Sequence, residues 1–148
     1  MAATPLGPDA VSALSDAGHN ALPSDDYPTS VLVVSDKAAK EDAAAWGTAL
    51  ADALAGRPVK VVPVVDAAKL PGAMVPFVSV YLKAVGADEA ILDKKGWTEN
   101  EEGYKPGTVL LMVVGREGDE PTSVLWRRSV AEVDDRVLDE LVDATLSL

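Results

Sequence analysis

Residues 30–36 constrain the fold of this 148-residue chain more than any other stretch. Their sequence is Ser-Val-Leu-Val-Val-Ser-Asp, with Pro28 shortly before the apolar run and Asp36 at its end. A short unbroken run of branched apolar residues is typical of a strand buried on both faces. Residues 37–55 then change to helical spacing and predict a helix. Open α/β sheets place their ligand crevice at the carboxyl end of such a strand, which here is Asp36.

Charge and length exclude several classes of partner. The chain has 24 acidic and 13 basic residues, a formal charge of −11. Nucleic-acid and anionic membrane surfaces attract Lys and Arg, so we expect neither as a partner. No apolar run approaches the roughly 20 residues of a membrane span, and the N-terminus lacks the features of a signal peptide. We expect one soluble domain without membrane insertion; the compartment stays open, with the cytoplasm slightly favoured.

Two residue types that carry much of enzyme chemistry are nearly missing. The chain contains no cysteine, and His19 is its one histidine. Thiol redox chemistry, cysteine-ligated metals and histidine-based catalysis are therefore excluded. The lack of cysteine and the single histidine favour a protein that is not an enzyme, but they do not decide the question. We expect no cofactor and no metal site.

The first half of the chain predicts an arm followed by alternating strands and helices. Residues 1–28 are rich in Ala, Pro, Gly, Ser and Asp and predict a flexible N-terminal arm, so that a single domain spans 29–148. Residues 59–65 predict a second strand, and Pro63 inside it predicts a sheet edge, because proline removes a ladder donor. Residues 74–85 have the clearest helical spacing in the chain.

The second half predicts a hairpin and a final helix. Three further runs predict strands: 90–92, 108–114 and 123–128. The eight turn-rich residues between the last two favour an antiparallel hairpin. The sequence Ser129-Val-Ala-Glu132 is typical of a capping box and predicts that the last helix spans 130–146.

The resulting order, β-α-β-α-(β)-β-β-α over residues 29–146, resembles the thioredoxin-like superfamily. The resemblance implies a three-layer α/β sandwich with a mixed sheet. The family carries a cis-proline just before its third core strand, and Lys105-Pro106-Gly107 stands in that place. Its redox Cys-x-x-Cys would lie near residues 36–40, where this chain has Asp-Lys-Ala-Ala-Lys. The resemblance therefore implies a redox-inactive protein.

Thioredoxin-like proteins receive an extended peptide between the first helix and this proline, and the resemblance implies a similar groove here. Aromatic residues in the polar loop 93–107 add further candidate contacts. The candidate binding residues are Asp36, Lys37, Lys40, Trp97, Tyr104 and Pro106. All except Pro106 also have a purely structural explanation: Asp36 as a helix cap, the lysines as solvated charges, and the two aromatic rings as parts of the core.

Two functions from different classes fit these residues. The first is a non-catalytic thioredoxin-like domain that acts as a protein- or peptide-interaction module. The alternative is a receiver-like (pseudo-receiver) or small Mg-dependent α/β domain that uses Asp36 and Asp93 as an acidic pair. Residues 31–37 resemble a receiver's first strand with its acidic residues, and Ile-Leu-Asp93 resembles its phosphoacceptor strand. The sequence favours the first function and leaves the partner and the oligomeric state open.

Overall fold

The strand predicted from the 30–36 run forms the middle of a mixed sheet. The computed structural model describes residues 4–5, 11, 23, 27–67, 91–93, 96–117 and 120–146. Strand β2 spans Thr29–Ser35, and all seven of its residues are buried. It pairs in parallel with β3 (Val59–Asp66) and antiparallel with β5 (Val109–Glu117). Both faces of β2 are covered, which is why its sequence lacks the polar alternation of a half-exposed strand.

Three more strands extend the sheet on its two sides. They are β1 (Thr4–Pro5), β4 (Ile91–Asp93) and β6 (Glu120–Val130). The order of the described strands is β1-β6-β5-β2-β3-β4. Strands β5 and β6 form the predicted antiparallel hairpin, with both strands longer than the sequence suggested.

Two described α-helices and a 3₁₀ turn complete the fold. Helix α1 spans Lys40–Ala53, α2 spans Asp135–Leu146, and the 3₁₀ turn spans Trp97–Asn100. The predicted thioredoxin-like α/β order is confirmed, while the predicted helix 74–85 lies outside the described residues. Within the described part of the chain, no helix has the length and apolar character to cross a membrane.

Alternate residues of β2 supply two separate cores. Val31 and Val33 pack with Trp46 of α1 and Leu141 of α2, so the two helices cover the same face of the sheet. Leu32 and Val34 belong to the cluster on the opposite face. Strict alternation along one strand thus builds both layers of packing.

The predicted boundary at residue 28 stays a prediction. Thr4–Pro5, inside the predicted arm, pairs antiparallel with Ser123 and Val124 of β6. Val11 packs against the core cluster that contains Leu32. These contacts place parts of the arm on the domain.

The prediction that Pro63 marks a sheet edge is wrong. Strand β3 has neighbours on both sides, since β4 pairs with it at Val64, Val65 and Asp66. The β3–β4 ladder begins one residue after the proline, so a strand with an internal proline still has two neighbours over its second half.

The predicted start of the last helix is also wrong. Ser129 lies in β6, opposite Leu110, and its hydroxyl is 3.1 Å from that of Thr108. Hairpin pairing therefore continues through the residues that resemble a capping box. Asp134 provides the cap instead: its Oδ1 accepts hydrogen bonds from the N–H groups of Arg136 (2.8 Å) and Val137 (3.3 Å).

Trp46 joins α1 to the connection between β6 and α2. Its side chain is 0 % exposed, and its Nε1–H donates to the carbonyl of Ala131 at 2.9 Å. We expect Trp46→Phe to lower the free energy of unfolding by about 1–3 kcal/mol, because the substitution removes this hydrogen bond and leaves part of a fully buried ring site empty. Urea unfolding of this variant and of Trp126→Phe, whose ring is only half-buried, measures the difference. Equal losses in the two variants would contradict the assigned contact.

Candidate functional site

A cleft of about 170 Å³ opens at the carboxyl ends of β2 and β3. Asp36 follows β2 directly, and Asp66 is the last residue of the parallel strand β3, so both carboxylates lie at one edge of the sheet. The residues that line the cleft are Asp36, Lys37, Ala38, Asp66, Glu99, Tyr104 and Pro106. This is the edge at which open α/β sheets bind ligands, as the sequence predicted.

The carboxylate of Asp36 joins the start of α1 to the loop before β5. Its Oδ1 accepts a hydrogen bond from the N–H of Ala39 at 3.0 Å, and its Oδ2 accepts one from the N–H of Gly107 at 2.8 Å. The expectation that Asp36 caps the helix is therefore wrong: Ala39 is the N-cap residue, without a side-chain cap, and Asp36 closes the turn before it. Bonds from N–H groups to an ionised carboxylate are stronger than neutral ones.

Pro106 lies in a tight turn beside this bridge. The N–H of Thr108 donates to the carbonyl of Lys105 at 3.1 Å, and Gly107 has a φ of +79°. Proline at the second position and a positive φ at the third define a type II turn. The Lys105–Pro106 peptide bond is trans, so the cis-proline that the resemblance implied is absent at this position. Gly107 accounts for the difference, because it separates the proline from the strand and supplies the turn's left-handed residue.

Tyr104 lines the cleft and is held by Asp66. Its hydroxyl donates to Asp66 Oδ2 at 2.9 Å. Burial raises the pKa of Tyr104 well above its usual value, and the hydrogen bond to Asp66 and the charges of Asp66, Asp36 and Glu99 raise it further. Tyr104 therefore stays a neutral hydrogen-bond donor at physiological pH.

Trp97, the other candidate aromatic residue, lies in the core and not in the cleft. It is 5 % exposed and packs in the cluster that contains Leu32. The carboxylate of Asp93 organises the turn that places it there, accepting hydrogen bonds from the N–H of Gly96 (2.8 Å), the N–H of Thr98 (2.8 Å) and the Thr98 hydroxyl (2.9 Å). The structural explanation given for Trp97 accounts for its position.

The acidic pair of the magnesium alternative is not assembled. Strand β3 lies between β2 and β4, which separates the backbones that carry Asp36 and Asp93 by two strand spacings, roughly 10 Å. Asp93 is also 2 % exposed, beneath its three donors. Among the residues that the structure describes, no group of three or more His, Asp or Glu side chains could hold a metal ion.

The two candidate lysines occupy different positions. Lys37 is exposed and lines the cleft, whereas Lys40 is the first residue of α1 and is not among the lining residues. Sequence reasoning missed three lining residues, Ala38, Asp66 and Glu99. Asp66 follows its strand just as Asp36 follows β2, and that parallel could have identified it. The cleft is acidic, with three carboxylates and one lysine.

Arg127 of β6 fastens the segment that carries Glu99 and Tyr104. Its Nη1 donates to the carbonyl of Glu102 at 3.1 Å and lies 3.8 Å from the carboxylate of Glu101. Burial raises the pKa of Glu101, and the positive charge of Arg127 partly offsets that rise. The cleft wall is therefore attached to the hairpin.

Comparisons with known proteins identify the fold. No family model and no curated protein matches the chain. Solved structures do match, among them StoA from Bacillus subtilis, with a TM-score of 0.55, 14% identity, and coverage of 82% of this chain and 84% of StoA. A thioredoxin-family thiol:disulfide interchange protein from Chlorobium tepidum TLS has a TM-score of 0.46 and 14% identity, over 79% of this chain and 81% of its own. The chain has a thioredoxin-like fold that contains no cysteine.

Asp36→Asn tests the bridge between α1 and the Pro106 turn. An amide offers one acceptor oxygen where the carboxylate uses two, and its NH₂ group faces a second N–H donor. We expect a loss of about 1–3 kcal/mol in the free energy of unfolding and faster hydrogen exchange at the Gly107 amide. Asp42→Asn, in the first turn of α1, removes the same charge and serves as the control. Unchanged exchange at Gly107 in Asp36→Asn would contradict the bridge.

The raised pKa of Tyr104 makes the free energy of unfolding depend on pH in the alkaline range. An unfolded tyrosine ionises near pH 10, whereas the raised pKa keeps Tyr104 protonated in the folded state. Below about pH 10, Tyr104 adds no pH dependence to the free energy of unfolding. Above about pH 10, its contribution makes that free energy fall as pH rises. We expect Tyr104→Phe to have a shallower slope in urea unfolding between about pH 9 and 11. Parallel curves for the wild type and the variant would contradict the predicted linkage.

Proposed function

We propose that this protein is a non-catalytic thioredoxin-like domain that binds a protein or peptide partner through the cleft beside Asp36 and Pro106. One observation carries the proposal. At the start of the first helix, where the redox proteins of this fold carry Cys-x-x-Cys, Asp36 uses both carboxylate oxygens to hold the Pro106 turn against α1. A carboxylate fixed by two backbone donors supports a preformed binding cleft better than a reaction centre.

The size of the cleft favours a side chain of a partner over a cofactor. Small-molecule and cofactor sites have volumes of about 300–1,000 Å³. The cleft has about 170 Å³, which is closer to the size of one long side chain. A partner would therefore insert one anchoring residue and cover the rim with its backbone.

The charge of the cleft favours a basic anchor. Three carboxylates, of Asp36, Asp66 and Glu99, outnumber the lysine in the lining. The ring of Tyr104 offers a surface for the apolar stem of a Lys or Arg side chain. The net charge of −11 also attracts a basic segment over a longer range. We propose a partner segment with an exposed Arg or Lys.

Peptide selection tests this proposal. Decapeptides displayed on phage are selected on the wild-type protein, and the affinity of the best binder is measured by fluorescence anisotropy. We expect enrichment of Arg or Lys at one position and loss of binding when that residue becomes Gln. Glu99→Gln should weaken binding about three- to fivefold, the effect of removing one solvent-exposed ion pair.

Glu41→Gln is the matched control, because Glu41 lies exposed in the first turn of α1 and outside the cleft lining. It changes the net charge as Glu99→Gln does, so we expect it to leave the affinity nearly unchanged. Equal weakening by the two variants would indicate a general charge effect and overturn the assigned cleft. Selected peptides without a basic residue would overturn the proposed anchor.

A further inference from the structure

A second cavity lies at the opposite end of the central strands. Its volume is about 350 Å³, roughly twice that of the cleft. It opens at the amino ends of β2 and β3, beside the last turn of α2. The described residues that line it are Pro28, Thr29, Arg57, Pro58, Val59, Arg116 and Thr145.

The register of the sheet places two arginines on either side of β2. Thr29 pairs with Val59 of β3 on one side and with Gly115 of β5 on the other. Arg57 precedes Val59 by two residues, and Arg116 follows Gly115 directly. Their backbones are therefore about two strand spacings apart, roughly 10 Å, a gap that two long side chains can close.

These arginines differ from those elsewhere on the sheet in lacking acidic partners. Arg127 and Arg128 of β6 face Glu101 and Glu140, respectively. Within the described part of the chain, neither Arg57 nor Arg116 has an ion-pair partner, and Nη1 of Arg57 is shielded from solvent without a hydrogen bond. The described lining contains no Asp or Glu, in a protein whose net charge is −11. Two guanidinium groups with no carboxylate beside them leave the described lining positively charged, and an anion bound in the cavity would pair with them.

The surrounding backbone does not cancel this positive charge. Helix α2 ends beside the cavity, and α1 ends four residues before Arg57. Each helix C-terminus carries a partial charge equivalent to about −0.5, so together they offset about half of the two guanidinium charges. The Thr145 hydroxyl donates to the carbonyl of Val142 at 2.7 Å, so its proton is already used, and the charged donors of the described lining are the two arginines.

We propose that this cavity binds a small organic anion. Its carboxylate or phosphate group lies between the Arg57 and Arg116 guanidinium groups, whose planar donors match either group. Its apolar body packs on Pro28, Pro58 and Val59. A volume of about 350 Å³ is within the usual range of small-molecule sites. The site does not depend on the proposed peptide cleft, which lies at the other end of the strands.

Four probes test the site: benzoate, phenyl phosphate, inorganic phosphate and the neutral analogue benzamide. We expect benzoate or phenyl phosphate to raise the melting temperature and to shift the amide resonances of Thr29 and Val59, as binding to the native state requires. Arg57→Gln and Arg116→Gln should each weaken binding at least about tenfold, the effect of losing a charge-assisted contact. Arg136→Gln, at the exposed start of α2, should weaken it less than about twofold.

A second measurement separates binding from a structural role of Arg57. Because Nη1 of Arg57 has no acceptor, Arg57→Gln without ligand should be at least as stable as the wild type in urea unfolding. Preference for benzoate or for phenyl phosphate would support the proposal and assign the anionic group. Equal binding of benzamide, equal affinities of Arg57→Gln and Arg136→Gln, or no binding of any probe at about 10 mM would overturn it.

Discussion

The carboxylate of Asp36 is the interaction on which the candidate site depends. It joins two segments that are 71 residues apart, the start of α1 and the turn at Gly107. Both of its partners are backbone N–H groups. That of Ala39 also donates to the carbonyl of Asp36 at 3.3 Å, so the carboxylate reinforces the turn before α1 while it holds the turn at Gly107. Tyr104 and its contact to Asp66 extend the same network along the cleft. Tyr104 and Arg127 also attach the segment that precedes Pro106, and the Asp36 carboxylate adds the link between the Pro106 turn and α1.

A thioredoxin-like fold without cysteine illustrates that a fold and its chemistry are separable. The fold rests on β2, whose alternate residues enter two cores, and on the helices and the hairpin that pack around it. None of these contacts requires a thiol. Redox proteins of this fold react at the start of the first helix. In this protein, the residue at that position connects two parts of the backbone.

The two ends of the central strands have opposite electrostatic character. Their carboxyl ends carry Asp36 and Asp66, and the 3₁₀ turn adds Glu99. Their amino ends are flanked by Arg57 and Arg116, which lie beside the C-terminal end of α2. Because β2 and β3 are parallel, residues that follow or precede each strand gather at the same edge. The parallel pairing thus accounts for Asp36 and Asp66 in the cleft and for Arg57 in the cavity, while Arg116 comes from the carboxyl end of the antiparallel strand β5.

The sequence by itself determined the buried central strand, the helix that follows it, the hairpin and the general position of the cleft, because burial and periodicity are local patterns. Only the tertiary structure decided which aromatic residue of the polar loop faces the cleft. Trp97 and Tyr104 look alike in sequence, but hydrogen bonds to Asp93 turn one inward, and Asp66 holds the other at the cleft. The start of α2, the neighbour of β3 beyond Pro63 and the pairing of Asp36 with Gly107 depend on strand register and on contacts between distant segments. Such contacts form where the folded backbone brings distant residues together, and local sequence patterns do not specify those positions.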